Sequence, residues 1–214
     1  MVEPVETTAD RSYARGMDER ETVPVDGAKI ALRDQLSTAR RRRSLLDVGE
    51  SGRAIAQHLL ATPEVRRAAT VAAYVSRGLE PGTGPLIDAV RASGRHVILP
   101  VVLPDKDLDW GRYTGADGLA DARFGLLEPA EPHLGVDAVA TADVVLVPAV
   151  AVDRSGMRLG RGGGCYDRAL ARVPVGTFVC ALLYDDEVLD AVPSAPHDRR
   201  VTAVVTPSGV TRLA

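Results

Sequence analysis

Short apolar runs that alternate with helix-like segments constrain the fold of this chain more than any other feature. The runs show no polar alternation and lie at residues 69–76, 96–103, 143–152, 176–184 and 201–207. Segments with the apolar spacing or the end signals of a helix lie at 26–43, 49–62, 82–94 and 164–173. Strands without alternation are buried on both faces, and strands separated by helices usually pair in parallel. The sequence therefore predicts a three-layer α/β/α fold with a mostly parallel central sheet.

The ends of the chain and one internal segment depart from this alternation. Residues 1–26 are polar, acidic on balance and without apolar periodicity, which predicts a disordered acidic tail. Residues 27–214 are predicted to form a single α/β domain, whose first helix has Asp26 as its cap. Residues 108–129 are rich in turn residues, so we expect a lobe or long connection with one short strand at most. We interpret Arg40 to Arg43 as a solvated charge run at a helix end.

Composition excludes several classes of protein. The net charge of −3 gives no general reason to expect binding to nucleic acid, and no run of about 18 apolar residues marks a membrane span. Two cysteines in 214 residues are too few for a disulfide framework. The N-terminus also lacks the pattern of a signal peptide. We expect a cytoplasmic monomer without nucleic-acid or membrane partners.

The stretch "RLGRGGGCYDR", residues 158–168, predicts a phosphate-binding loop. Glycines let backbone N–H groups approach an anion, and arginines with a nearby aspartate suit a nucleoside triphosphate with Mg²⁺. Neither standard fingerprint fits: no Lys-Ser or Lys-Thr pair completes a Walker loop, and Cys165 stands where the dinucleotide motif needs its third glycine. A tight turn with solvated arginines stays an equal alternative on glycine content alone.

Several motifs in order make a more specific pattern. "LVPAVAVDRSGMRLGRGGGCYDRAL" at 146–170 is accompanied by "AKIALR" at 28–33, "YVSRGLEPGT" at 74–83, "GLLEP" at 125–129 and "PHDRRVTAVVTP" at 196–207. In content, spacing and order these resemble the 5-formyltetrahydrofolate cyclo-ligases, also called 5,10-methenyltetrahydrofolate synthetases. The resemblance extends from about Gly27 to about Pro207. It implies that ATP drives the cyclisation of 5-formyltetrahydrofolate to 5,10-methenyltetrahydrofolate, with release of ADP and phosphate.

The resemblance also implies a role for each matching residue. It places Lys29, Arg33, Arg158, Gly160, Arg161, Gly162, Gly163, Gly164 and Tyr166 at ATP. It places Val75, Glu80, Arg161, Gly162, Gly163, Gly164 and Cys165 at the reduced folate, and Asp167 and Asp198 at Mg²⁺. Lys29, Arg158 and Arg161 would act on the transferred phosphoryl group. The expected partners are therefore ATP and a reduced folate, with Mg²⁺ as the metal.

Cys165 departs from the pattern, since most members of the family have Tyr or Phe at this position. The departure leaves two other functions open. One is a homologue that binds folate or nucleotide without catalysis, which the full phosphate and metal set argues against. The other is a hydrolase or transferase that uses Cys165 as a nucleophile, with His58, His96, His133 or His197 as its base.

Overall fold

The computed structural model describes residues 24–130 and 132–213, so most of the predicted tail lies outside the described residues. The helices are α1 (Val25–Arg40), α2 (Leu45–Ala61), α3 (Pro63–Arg67), α4 (Gly84–Ala92) and α5 (Cys165–Leu170). Among the described residues, no helix combines the length and the apolar character needed to cross a bilayer.

Local sequence signals set most of the helix boundaries. Ser44 and Asp47 form a reciprocal capping box at the start of α2, and the Thr62 side chain caps α3 just before Pro63. The first helix differs from the prediction. Helix α1 begins at Val25, so Asp26 lies in its first turn and does not cap it.

The strands form one large sheet and two small ones. They are β1 (Thr70–Ala72), β2 (His96–Val102), β3 (Leu108–Arg112), β4 (Leu119–Asp121), β5 (Leu127–Pro129), β6 (Val144–Pro148), β7 (Ala151–Asp153), β8 (Arg158–Leu159), β9 (Phe178–Leu182), β10 (Val188–Leu189), β11 (Ala203–Thr206) and β12 (Gly209–Arg212). The large sheet has the order β12-β11-β9-β6-β1-β2-β3. The small sheets are β10-β7-β8 and β4-β5.

The centre of the large sheet is parallel, and only its two edge strands are antiparallel. Strands β2, β1, β6, β9 and β11 pair in parallel, while β3 and β12 close the edges in the opposite direction. In chain order this is a doubly wound sheet that reverses between β1 and β6. Ligands of such sheets bind beyond the carboxyl ends of the strands at the reversal. The topology therefore predicts a ligand site at the segments that follow β1 and β6.

Buried side chains on both faces of the sheet confirm the predicted three layers. On one face, Ile55 and Leu59 of α2 and Leu86 of α4 pack against the apolar strands. On the other face, Leu170 of α5 and Val139 of a 3-10 helix pack with the buried Trp110. Helix α1 packs separately through Leu36, against the sheet that contains β7 and β8. Helix α1 therefore lies beside the carboxyl ends of the strands at the reversal between β1 and β6.

Two predicted segments are more structured than expected. The apolar run at 143–152 is two strands, β6 and β7, which belong to different sheets. Residues 108–129 contain β3, β4 and β5, so the prediction of one short strand at most is wrong there. Strand β3 pairs with β2, and β4 and β5 form a hairpin. The hairpin becomes one wall of the site.

Candidate active site

A cleft of about 910 Å³ opens at the carboxyl ends of β1 and β6. Helix α1, the glycine loop, and the β4-β5 hairpin surround it. Every site residue predicted from the sequence lines this cleft: Lys29, Arg33, Val75, Glu80, Arg158, Gly160, Arg161, Gly162, Gly163, Gly164, Cys165, Tyr166, Asp167 and Asp198. The structure thus brings residues from widely separated motifs into one space.

The glycine loop runs from Gly160 to Gly164, between β8 and α5. Gly162 and Gly164 have φ angles of +97° and +69°, a region that favours glycine over other residues. A side chain at Gly162 would also stand 3.5 Å from the Arg33 guanidinium carbon. Helix α5 is only six residues long, so the loop N–H groups carry most of any anion binding. Both glycines are needed for this backbone path.

Helix α1 turns a basic face toward the cleft. Lys29 is buried, and its ammonium donates to Asp198 Oδ2 at 2.5 Å. One turn later, Arg33 Nε donates to the carbonyl of Gly160 at 2.8 Å and so ties the helix to the glycine loop. Ile30, next to Lys29, is 57% exposed and also lines the cleft. The helix therefore presents two cations to this part of the cleft, together with the exposed side chain of Ile30.

The two predicted metal ligands are each paired with a basic group. Asp167 Oδ1 accepts from Arg158 Nη2 at 2.9 Å and from the backbone N–H of Arg199 at 3.1 Å. Asp198 Oδ2 accepts from Lys29 and from the backbone N–H of Ala195. Burial raises the pKa of Asp198, but its hydrogen bonds and the Lys29 charge outweigh burial and hold that pKa below its ordinary value. Asp198 is therefore a carboxylate at neutral pH.

This pair of carboxylates fits a metal that shares its coordination with a substrate. Within residues 24–130 and 132–213, no group of three or more His, Cys, Asp or Glu side chains converges on one point. A dedicated protein cage is therefore not present there. Mg²⁺ is commonly held by one or two carboxylates together with substrate phosphates and water. Asp167 and Asp198 match that donor set.

Glu80 lies at the opposite side of the cleft and contacts the glycine loop. It is buried, and its Oε1 accepts from Arg161 Nε at 2.9 Å. Its Oε2 accepts from the backbone N–H of Arg77 at 2.8 Å. The carboxylate is thus held in a fixed orientation at the carboxyl end of β1. Arg161 is the residue that connects this side of the cleft with the loop.

Two buried polar atoms in the cleft make no hydrogen bond with the described residues. They are Nε of Arg158 and the hydroxyl of Tyr166. The Arg158 guanidinium lies 5.9 Å from the centre of the Tyr166 ring, and burial raises the pKa of the Tyr166 hydroxyl. A buried polar group without a partner costs about 1–3 kcal/mol, so such atoms are commonly satisfied by a ligand or by water. Both atoms have almost no accessible surface, so a ligand in the cleft reaches them only if the surrounding side chains move.

Sequence reasoning missed the apolar wall of the cleft. The additional lining residues include Asp26, Arg77, Lys106 and Glu128, but most are apolar or aromatic, among them Tyr74, Pro100, Val102, Leu108, Phe124, Leu126 and Leu127. Phe124 is 67% exposed and has a positive φ of 61°, which is uncommon for an aromatic residue. The available signal was an aromatic residue flanked by Arg123 and Gly125 in a turn-rich segment. Phe124 supplies aromatic surface in the same cleft in which Cys165 lacks it.

The thiol alternative finds no support in the contacts of Cys165. Within the described residues, the Cys165 thiol makes no hydrogen bond to an imidazole. His58 bonds the carbonyl of Pro207, and His133 lies 3.5 Å from Asp109. His197 does line the cleft, but its Nε2 faces Asp198 at 3.7 Å. In the part of the chain that the structure describes, no histidine is paired with Cys165 as its base.

The run Arg40 to Arg43 is not simply solvated, as the sequence predicted. Arg40 is buried and donates to both oxygens of Glu187, while Arg43 stacks 3.9 Å above the Tyr184 ring. Arg42 is exposed, as predicted. The prediction failed for Arg40 because its partner lies 147 residues later in the chain. This contact fixes the end of α1 near the cleft.

Comparison with known proteins gives a consistent result. The model of the 5-formyltetrahydrofolate cyclo-ligase family matches residues 25–207. A 5-formyltetrahydrofolate cyclo-ligase of Mycolicibacterium smegmatis is 43% identical over 182 residues, which cover 82% of this chain and 93% of the relative. One of Escherichia coli is 34% identical over 180 residues, covering 79% of this chain and 96% of the relative.

A solved structure agrees with these sequence matches. The solution structure of 5,10-methenyltetrahydrofolate synthetase from Aquifex aeolicus superposes with a TM-score of 0.75 at 29% identity. The alignment covers 86% of this chain and 92% of the Aquifex chain. A synthetase from Mycoplasma pneumoniae shares the fold, with a TM-score of 0.65 at 20% identity.

Proposed function

The chain belongs to the 5-formyltetrahydrofolate cyclo-ligase family, and from this premise we propose how its cleft performs the reaction. The enzyme converts 5-formyltetrahydrofolate to 5,10-methenyltetrahydrofolate at the expense of ATP. The cleft holds ATP along α1 and the glycine loop, and it holds the reduced folate between Glu80 and the apolar wall. Arg161 lies between the two substrates.

The chemical difficulty lies in the formyl group. A formamide is a poor electrophile because its nitrogen donates into the carbonyl, and its oxygen is a poor leaving group. Transfer of the γ-phosphoryl group to that oxygen makes it a good leaving group. The neighbouring amine of the folate then attacks the formyl carbon, the five-membered ring closes, and phosphate departs with the former formyl oxygen. No protein nucleophile is needed.

The protein supplies position and positive charge to this phosphoryl transfer. Lys29, Arg33 and Arg158 neutralise the triphosphate. The N–H groups of the loop from Gly160 to Gly164 bind the oxygens of the triphosphate. Tyr166 lines the same ATP side of the cleft. The assignment is supported by the position of Lys29, Arg33, Arg158 and the loop glycines, which line the same cleft.

The folate side rests on a carboxylate and an apolar wall. Glu80 can accept hydrogen bonds from the N–H groups of the pterin ring, and Val75 and Cys165 border the ring. Phe124 offers a face for stacking, which compensates for the missing aromatic side chain at position 165. Arg161 contacts Glu80 at 2.9 Å while belonging to the phosphate loop. That single contact is the strongest support for the proposal. It joins a residue of the ATP side directly to a residue of the folate side, so the two substrates would lie next to each other.

Asp167 and Asp198 would hold Mg²⁺ together with the phosphates. The ion would supply charge neutralisation for the triphosphate. The two carboxylates belong to distant segments, the start of α5 and the loop before β11. Their pairing with Arg158 and Lys29 keeps the charge of the empty protein balanced. Loss of either aspartate is therefore expected to affect nucleotide binding and protein stability together.

The activity is tested by mixing the purified protein with MgATP and 5-formyltetrahydrofolate and following the absorbance of the methenyl product. We expect product only when ATP is present. Lys29→Ala should lower kcat/KM on the order of a hundredfold, as removal of a group that stabilises the transition state typically does. Arg42→Gln, which removes an exposed cation just beyond the opposite end of α1 and outside the cleft, is the control. ATP-independent product, or a full rate in Lys29→Ala, would contradict the proposal.

The remaining expectations concern the protein in solution. We propose that the enzyme is a cytoplasmic monomer without a nucleic-acid partner. Size-exclusion chromatography with light scattering should give a mass near 22.7 kDa. A dimer at micromolar concentration would count against the monomer.

A further inference from the structure

A second, smaller cavity of about 220 Å³ opens beside the cleft. Four arginines line it, together with the backbone of the turn after β1: Arg40, Arg41, Arg77 and Arg161. No carboxylate side chain is among its lining residues. Such a concentration of guanidinium groups around one small space favours an anionic ligand.

Two of the four arginines are already neutralised. Arg40 is paired with Glu187, and Arg161 is paired with Glu80. Within the described residues, neither Arg41 nor Arg77 is paired with a carboxylate. Arg41 only donates to the hydroxyl of Thr38 at 2.8 Å. Arg41 and Arg77 therefore carry the free positive charge of the cavity.

The position of the cavity distinguishes it from the triphosphate side. Lys29 and Arg41 are twelve positions apart on α1 and its last turn, which corresponds to about 18 Å at 1.5 Å per residue. The cavity shares Arg77 and Arg161 with the main cleft. Its free charge thus lies at the folate side of the cleft and far from the phosphate-binding end of α1.

Arg77 also reaches the apolar wall. A side chain placed on Gly125 would stand 3.6 Å from Nη2 of Arg77. Gly125 directly follows Phe124, the exposed aromatic residue of that wall. A flat ring system that packs on Phe124 would therefore have its next substituent near the Arg77 guanidinium. The cavity continues from there toward Arg41.

We propose that this arginine cavity binds the glutamyl carboxylates of the reduced folate. The inference rests on the proposed function, because the substrate carries its glutamate at the end of the molecule opposite the pterin. A carboxylate matches the two-pronged geometry of guanidinium, and partly exposed pairs of this kind are individually weak but add up. Arg77, on the Phe124 side of the cavity, meets one carboxylate, and Arg41, which is also exposed, meets another.

The test compares 5-formyltetrahydrofolate with 5-formyltetrahydropteroate, which has the same ring system but no glutamate. KM for each is measured at saturating MgATP in the wild type, Arg41→Gln, Arg77→Gln and Arg42→Gln. We expect the wild type to have a KM about tenfold higher for the pteroate, with each cavity variant reducing this ratio about threefold. Arg42→Gln, an exposed neighbour of the same run, should leave the ratio unchanged.

Other outcomes overturn the inference. A wild-type ratio near one, or a ratio that survives the double variant of Arg41 and Arg77, shows that the cavity does not hold the glutamate. A rise in KM for ATP without a change in the ratio assigns the cavity to nucleotide phosphate. If the wild type forms no product at all, the proposed function has failed. Dissociation constants of the two folates, measured without ATP in the same variants, then still decide the role of the cavity.

Discussion

Replacing Glu187 with alanine is expected to destabilise the protein far more than an ordinary surface substitution. Glu187 and Arg40 are 1% and 4% exposed. Arg40 donates to Glu187 Oε1 at 2.6 Å, to Oε2 at 2.8 Å and to the carbonyl of Ala149 at 2.8 Å. Glu187 also accepts from the backbone N–H of Tyr184. The alanine variant would leave the buried guanidinium with one carbonyl partner only.

The magnitude follows from the cost of an uncompensated buried charge. Removing one partner of such a pair typically costs about 3–5 kcal/mol. In the wild type, burial lowers the pKa of Arg40, but the hydrogen bond and charge of Glu187 outweigh burial and raise it. The variant loses both contributions of Glu187, yet a guanidinium keeps its proton in proteins, so the buried positive charge stays. For a chain of this size, each 1 kcal/mol lowers Tm by about 2–4 °C. We therefore expect a Tm drop of roughly 6–20 °C for Glu187→Ala.

Urea denaturation at pH 7 measures the effect, with Asp190→Ala as the matched control. Asp190 pairs with Arg154 at 3.1 Å, but these side chains are 91% and 82% exposed, so its loss should cost at most about 0.5 kcal/mol. The double variant Arg40→Met with Glu187→Leu should recover much of the loss, because no charge stays buried. The reasoning is refuted if Glu187→Ala costs no more than Asp190→Ala.

Three further predictions concern the loop and its supports. Cys165→Tyr should keep or raise the methenyl-forming rate and Cys165→Ser should retain it; abolition of the rate by Cys165→Ser would support a thiol mechanism. Gly162→Ala places a side chain at a φ of +97° beside Arg33, so it should lower the free energy of unfolding by about 1 kcal/mol. It should also reduce the rise in Tm that MgATP causes. An unchanged rise would count against a role of the loop in nucleotide binding. Burial raises the pKa of Asp153, but hydrogen bonds from Ser155, Met157 and Val192 hold it below its ordinary value. Ionised Asp153 therefore stabilises the fold above about pH 4, and this stabilisation is lost as pH falls through the lower native pKa. The unfolding free energies of wild type and Asp153→Asn should converge below that pH. A difference between them that stays constant with pH would contradict this prediction.

The layer architecture could be predicted because each buried strand is recognisable from its own short stretch of sequence. Runs such as 176–184 and 201–207 are apolar on both faces, which only a covered parallel sheet explains. The same property hid the break between β6 and β7. Both pieces are buried, so no polar residue marks the point at which the chain leaves one sheet for another.

The site could be predicted only in part, since some of its features depend on non-local contacts. The glycines and charged residues that line the cleft stand in recognisable motifs. The burial of Arg40 depends on Glu187, and the role of Phe124 depends on a hairpin that brings residues 119–129 to the carboxyl ends of the strands. Apolar character is also no guide to burial on the cleft side of α1, where Ile30 is 57% exposed while its neighbour Lys29 is buried.

Transfer of the formyl oxygen to phosphate is the central step of this account, and isotope labelling tests it directly. 5-Formyltetrahydrofolate labelled with oxygen-18 in the formyl group is converted by the enzyme with MgATP, and the released phosphate is examined by mass spectrometry. The account predicts one oxygen-18 atom in each phosphate formed. Unlabelled phosphate, with the label recovered in water, would contradict phosphorylation of the formyl oxygen and with it the arrangement of the two substrates across Arg161.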